Sequence, residues 1–119
     1  MGKFSRDKGK RGEREIASLL RSYGYDNCHR GQQFNGSDGS ADVVGLPGLH
    51  LEIKRVEKLN LYDAMSQSKN DAAAAGQNEK PVVMHRKNNC EWLVTMELKE
   101  WIELYREWEC SQIPFNEKE

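Results

Sequence analysis

The sequence predicts an α/β domain, a central mixed β-sheet of four or more strands flanked by helices. Stretches with helical apolar spacing alternate with short β-branched or alternating runs, in the order helix, strand, strand, helix, strand, strand, helix. The chain has 119 residues, 37% of them hydrophobic, which is material for one compact core and not two. No repeat or linker divides it, so residues 1–119 read as a single domain.

The first helix is expected over residues 13–24. Ile16, Leu19, Leu20 and Tyr23 fall at i, i+3, i+4 and i+7, and Gly24 offers a stop. Ahead of it, residues 1–11 form a basic N-terminal arm, expected to be solvated and partly disordered unless it contacts phosphate. Residues 31–41 hold three glycines, two serines, an asparagine and an aspartate, the composition of a loop. Two short strands follow, Ala41 to Gly45 and Leu49 to Arg55, joined through Pro47-Gly48. On the second, Leu49, Leu51 and Ile53 share one face, while His50, Glu52 and Lys54 share the other.

A second helix is expected from Asn60 to about Ala75, capped by Asn60 with Asp63 three residues on. Strands follow from Pro81 to His85 and from Glu91 to Val94, with Lys87-Asn88-Asn89 turning between them. The last helix, about Glu97 to Trp108, carries Leu98, Trp101, Ile102 and Tyr105 at helical spacing. Core packing is the expected role of its tryptophans, and residues from about 113 to 119 read as a frayed tail.

Charge narrows the function. Eighteen basic and nineteen acidic residues give a net charge of −1, which excludes a globally basic, histone-like binder. The distribution is uneven: residues 1–30 hold eight basic and four acidic side chains, residues 97–119 three basic and seven acidic. No apolar run approaches the ~18 residues of a membrane span, and none follows Met1 as a secretion signal would. Cys28, Cys90 and Cys110 are odd in number and far apart, which points away from a disulfide scaffold or structural zinc. The expectation is a cytoplasmic, reducing location and no membrane partner.

The chemistry gathers at Asp42 and at Glu52-Ile53-Lys54. If the two strands pair through the Pro47-Gly48 turn, the carboxylates of Asp42 and Glu52 converge. Two such hard oxygen donors suit Mg²⁺, with Mn²⁺ as its substitute, and the Ile53 carbonyl can add a further oxygen. Lys54 then lies beside the ion, where an ammonium orients water or stabilises charge developing on phosphate. Metal, water and lysine are what phosphodiester hydrolysis needs. A solvated hairpin with an exposed Glu/Lys face would carry the same pattern, but Glu13 on the preceding helix and Gln67 on the following one add to the constellation.

Together these residues resemble the PD-(D/E)xK nuclease superfamily, more closely its Holliday-junction-resolvase-like branch. The matching segments are Lys8-Gly9-Lys10-Arg11-Gly12-Glu13-Arg14-Glu15, Ser40-Ala41-Asp42-Val43-Val44-Gly45 and Leu51-Glu52-Ile53-Lys54. Ala41 stands where the motif's name has proline. The resemblance, covering about residues 8–95, implies a restriction-endonuclease-like fold and a Mg²⁺-dependent DNA endonuclease, a Holliday junction resolvase or another structure-selective nuclease. It makes Glu13 the helical glutamate, Asp42 and Glu52 the metal-binding acids, Lys54 the catalytic lysine and Gln67 an orienting residue. Lys8, Lys10, Arg11 and Arg14, which flank Glu13, become candidate phosphate contacts.

The branch works as homodimers on branched DNA, so a homodimer is expected here, with Trp101, Tyr105 and Trp108 as candidate interface. No small-molecule cofactor is expected. A non-catalytic nucleic-acid-binding domain that keeps the nuclease fold is the alternative, although such a binder has no need of an intact Asp42/Glu52/Lys54 set. His29, His50 and His85 show neither metal spacing nor a paired nucleophile.

Overall fold

The computed structural model describes residues 2–31 and 41–113, with side chains from Gly9 onward. Most of the expected 31–41 loop, the tail beyond residue 113 and the Lys8 side chain lie outside the described residues. The elements are α1 (Gly2–Ser22), β1 (His29–Arg30), β2 (Val43–Val44), β3 (Leu49–Arg55), α2 (Leu61–Ala75), β4 (Lys80–Arg86), β5 (Leu93–Thr95) and α3 (Leu98–Ser111). The fold is α/β, a five-stranded mixed sheet with three helices. Its strands lie in sequence order, β1-β2-β3-β4-β5.

β1–β2, β2–β3 and β4–β5 pair antiparallel, the last two across connections of four and six residues, whereas the α2 crossover leaves β3 and β4 parallel. The parallel register pairs Glu52 with Val83 and Lys54 with His85. On one face Ile16 and Ala17 of α1 pack on Val43, Leu51, Ile53, Val82 and Met84. On the other, Ala64 and Met65 of α2 pack on Val83.

The structure departs from the sequence reading in four places. α1 begins at Gly2, so the basic arm continues the helix; its apolar stripe starts only at Ile16, but lysine and arginine are good helix formers and need no apolar partner to extend it. β1 has two residues and exists through its pairing with β2, too short for periodicity to show. The polar face of β3 is covered: α2 buries His50 and Glu52, which are 1% and 2% exposed. Lastly, α3 buries no residue, and Trp101 and Trp108 stand in water rather than in the core.

α2 follows its predicted capping. The Asn60 side chain accepts the Asp63 backbone N–H at 3.1 Å, and Gly76 closes the helix in the left-handed region at φ 66°. Ser68, on its buried face, lies 3.3 Å from the His50 carbonyl and 3.2 Å from that of Val82, tying the helix to both parallel strands.

Gly45, which leads β2 towards β3, has φ 118°, and a Cβ there would stand 2.6 Å from Cys28 Cα and 2.7 Å from the Asn27 carbonyl oxygen. Both strain and a backbone clash oppose a side chain at this position. Gly45→Ala is expected to lower the unfolding free energy by at least about 2 kcal/mol in urea titration.

Candidate catalytic site

Four elements supply the site. Asp42 lies one residue before β2, and its backbone N–H donates to the Leu51 carbonyl at 2.9 Å. Val43 pairs with Leu51 across the antiparallel β2–β3 register, which brings Asp42 to the stretch of β3 that carries Glu52. Asp42 Oδ2 accepts the Ile53 N–H at 2.9 Å, so the side chain takes the place of a ladder carbonyl beside β3. A strand residue's N–H and C=O project to the same side, which turns the Ile53 carbonyl towards Asp42 as well.

Glu52 is central. One carboxylate oxygen, Oε2, lies 3.5 Å from Lys54 Nζ, while Oε1 is buried without a hydrogen-bond partner. Burial pushes its pKa up to about 8, and the neighbouring charges of Asp42 and Asp71 add to the rise against the pull of Lys54. Lys54 Nζ also donates to Gln67 Oε1 at 3.2 Å, so α2 holds the ammonium from above the sheet. Asp71 lies four residues beyond Gln67, on the same flank of α2.

Glu13 approaches from α1. Arg30 Nε donates to its Oε1 at 2.9 Å. Burial raises its pKa, the Arg30 hydrogen bond opposes the rise, and Asp42 contributes to it, which places the two carboxylates in one electrostatic neighbourhood. The expected residues Glu13, Asp42, Glu52, Ile53, Lys54 and Gln67 therefore come together at one locus.

Lys10, Arg11 and Arg14 are all exposed on α1. Arg14 is near enough to Glu13 to lower its pKa, and Lys10 is one turn before Arg14 on the same flank. At 100° per residue Arg11 lies about 60° round from Arg14 on the same solvent face, and Glu15 lies about 40° further on. There Glu15 accepts from Arg55 Nε at 3.0 Å, from Arg86 Nη1 at 2.9 Å and from Trp92 Nε1 at 3.1 Å, a knot that fastens α1 to the sheet.

Sequence reasoning missed Arg30 and Asp71. Nothing in the pattern around Arg30 signals its ion pair. The four-residue step from Gln67 to Asp71 was a usable signal.

A buried carboxylate with an orphan oxygen, next to a second carboxylate, is an expensive arrangement until a cation joins it. Asp42 and Glu52 supply hard oxygens that fit Mg²⁺ or Mn²⁺. Among the described residues no group of three His, Cys, Asp or Glu side chains is placed to hold a metal ion. Two carboxylates with a main-chain oxygen and water remain a sufficient set for Mg²⁺, which keeps several waters when bound. No helix among the described residues is long and apolar enough to cross a membrane. No family model, curated protein or solved structure matches the chain.

Proposed function

We propose that this protein is a Mg²⁺-dependent DNA endonuclease with a restriction-endonuclease-like fold. The observation that carries the reading is the buried Glu52 carboxylate, its Oε1 unpartnered, set between Asp42 and Lys54 at the β2–β3 pair. Asp42 and Glu52 would hold the ion with the Ile53 carbonyl. Bound there, Mg²⁺ supplies positive charge to the phosphate and makes a coordinated water a better nucleophile.

The chain's own residues do the rest. Glu52 Oε2 and Gln67 Oε1 fix the Lys54 ammonium between them, so its charge is already oriented when negative charge builds on the phosphate. Arg30 holds Glu13 at the edge of the acidic cluster. Lys10 and Arg14 extend a basic flank along α1, suited to the DNA backbone on either side of the cut. The substrate reading is DNA, branched DNA included, cut by a homodimer that brings two such sites to one molecule.

Cleavage of duplex, flap, nicked, single-stranded and four-way DNA, with Mg²⁺ and with EDTA, tests the reaction. Metal-dependent cleavage of at least one structure is expected. Binding without cleavage on all five would leave the non-catalytic binder.

The basic flank has its own test. Arg14→Ala is expected to weaken binding alike on unrelated sequences and to reduce the slope of log affinity against log salt by about 0.9.

A further inference from the structure

α3 is the element the fold leaves unexplained. Lys80 binds Glu100 and Glu103, and Lys69 binds Glu97 at 3.0 Å, so its root is tied to the body by ion pairs rather than by burial. Leu98, Trp101, Tyr105 and Trp108 follow one another at steps of three, four and three residues, the spacing of a helix-pairing seam. They are 72%, 47%, 41% and 56% exposed. The three aromatic rings follow one another along the helix, Trp101 stacked on Tyr105 with centroids 5.3 Å apart and Tyr105 tilted against Trp108 at 5.6 Å.

At the root of α3 the apolar surface continues into a groove of about 410 Å³, lined by Leu61, Tyr62, Met65, Met96 and Leu98. Tyr62 is 87% exposed there. A ring-bearing arm and an open apolar groove thus sit at opposite ends of one helix.

We infer that α3 pairs antiparallel with α3 of a second copy, each arm laying Trp108 over the other's groove. Two-fold pairing centred between Trp101 and Tyr105 sets each Trp101 against the partner copy's Tyr105 and each Trp108 against the other root. That is the self-complementarity a closed dimer requires. Parallel pairing would match the seam but leave both grooves open. At 150–250 Å² per aromatic side chain, half exposed, the seam and groove offer on the order of 600 Å² per copy, about 1,200 Å² in a pair, the lower limit of a specific interface.

This pairing deepens the homodimer reading and rests on it, but it is independent of the nuclease chemistry. Sedimentation of the full chain at about 100 µM, where such an interface is filled, is expected to give a dimer. Trp108→Glu is expected to raise the dissociation constant at least about 30-fold, the effect of losing a buried tryptophan anchor. Because α3 buries nothing within its own chain, the variant's circular dichroism should match the parent's.

Orientation is read with thiols in a Cys90→Ser, Cys110→Ser background, because Cys110 lies on the face of α3 away from the seam. Under mild oxidation Tyr62→Cys combined with Gln112→Cys, one turn beyond Trp108 on the seam side, is expected to link position 62 of one copy to position 112 of the other, a link absent from either single variant. A link between the two copies' 112 positions in its place would mean parallel arms and overturn the proposal. A Trp108→Glu protein that stays dimeric would also overturn it while leaving a homodimer standing. A monomeric parent would end both.

Discussion

Lys54→Ala is expected to lose at least about 10²-fold in cleavage rate while keeping its melting temperature and much of its DNA affinity. The separation follows from where the ammonium sits. Lys54 is partly exposed at the rim of the site, 3.5 Å from Glu52 and 3.2 Å from Gln67, and neither contact supports the core. Its removal leaves both helices on the sheet, because those rest on Leu51, Ile53 and Val83. What is lost is a positioned charge at the place where phosphate charge builds. Single-turnover cleavage beside thermal melting measures both quantities at once. Near-parental cleavage would make Lys54 a surface residue. Gln67→Ala tests the same geometry more gently, with a smaller rate loss, since the lysine keeps its Glu52 contact and loses its hold on α2.

Periodicity carried much of the fold and failed where packing partners are remote. β3 and α2 were legible to within a residue, because strict alternation and the Asn60 cap are local signals. Asp42, Glu52 and Lys54 were legible as a set, since a turn at Pro47-Gly48 brings one strand onto the next. The burial of His50 and Glu52 was not legible. Alternation states which residues share a face, but whether a second helix covers that face depends on the α2 crossover and on small residues such as Ala64, Ser68 and Ala72. α3 misled in the opposite sense. Its apolar stripe resembles that of a core helix, and a stripe cannot say whether its partner lies in the same chain. Arg30 could not be read because its meaning is an ion pair with Glu13, seventeen residues away, made through a two-residue strand.

Glu52→Gln is expected to stabilise the metal-free protein, and only at high pH. The Glu52 carboxyl titrates near its ordinary value of 4.5 in the unfolded chain but near 8 in the folded one, chiefly because it is buried. Below about pH 4.5 it is protonated in both states and costs nothing. Between these values the unfolded chain ionises while the folded chain keeps its proton, so stability falls as pH rises. Above about pH 8 both states are ionised and the loss stays constant. At about 1.4 kcal/mol per unit, the accumulated loss is on the order of 5 kcal/mol, with the pull of Lys54 already contained in the folded value. Glutamine has nearly the same shape and no charge to desolvate, so its variant lacks that slope. In EDTA the two proteins should therefore unfold at similar urea concentrations near pH 5, with the variant clearly the more stable near pH 9. Adding Mg²⁺ at high pH should reverse the order, raising the parent's melting temperature and leaving Glu52→Gln nearly unmoved. A parent whose stability is flat from pH 5 to 9 in EDTA would show that Glu52 bears no cost in its buried place. The case for a cation beside Asp42 would then lose its physical ground.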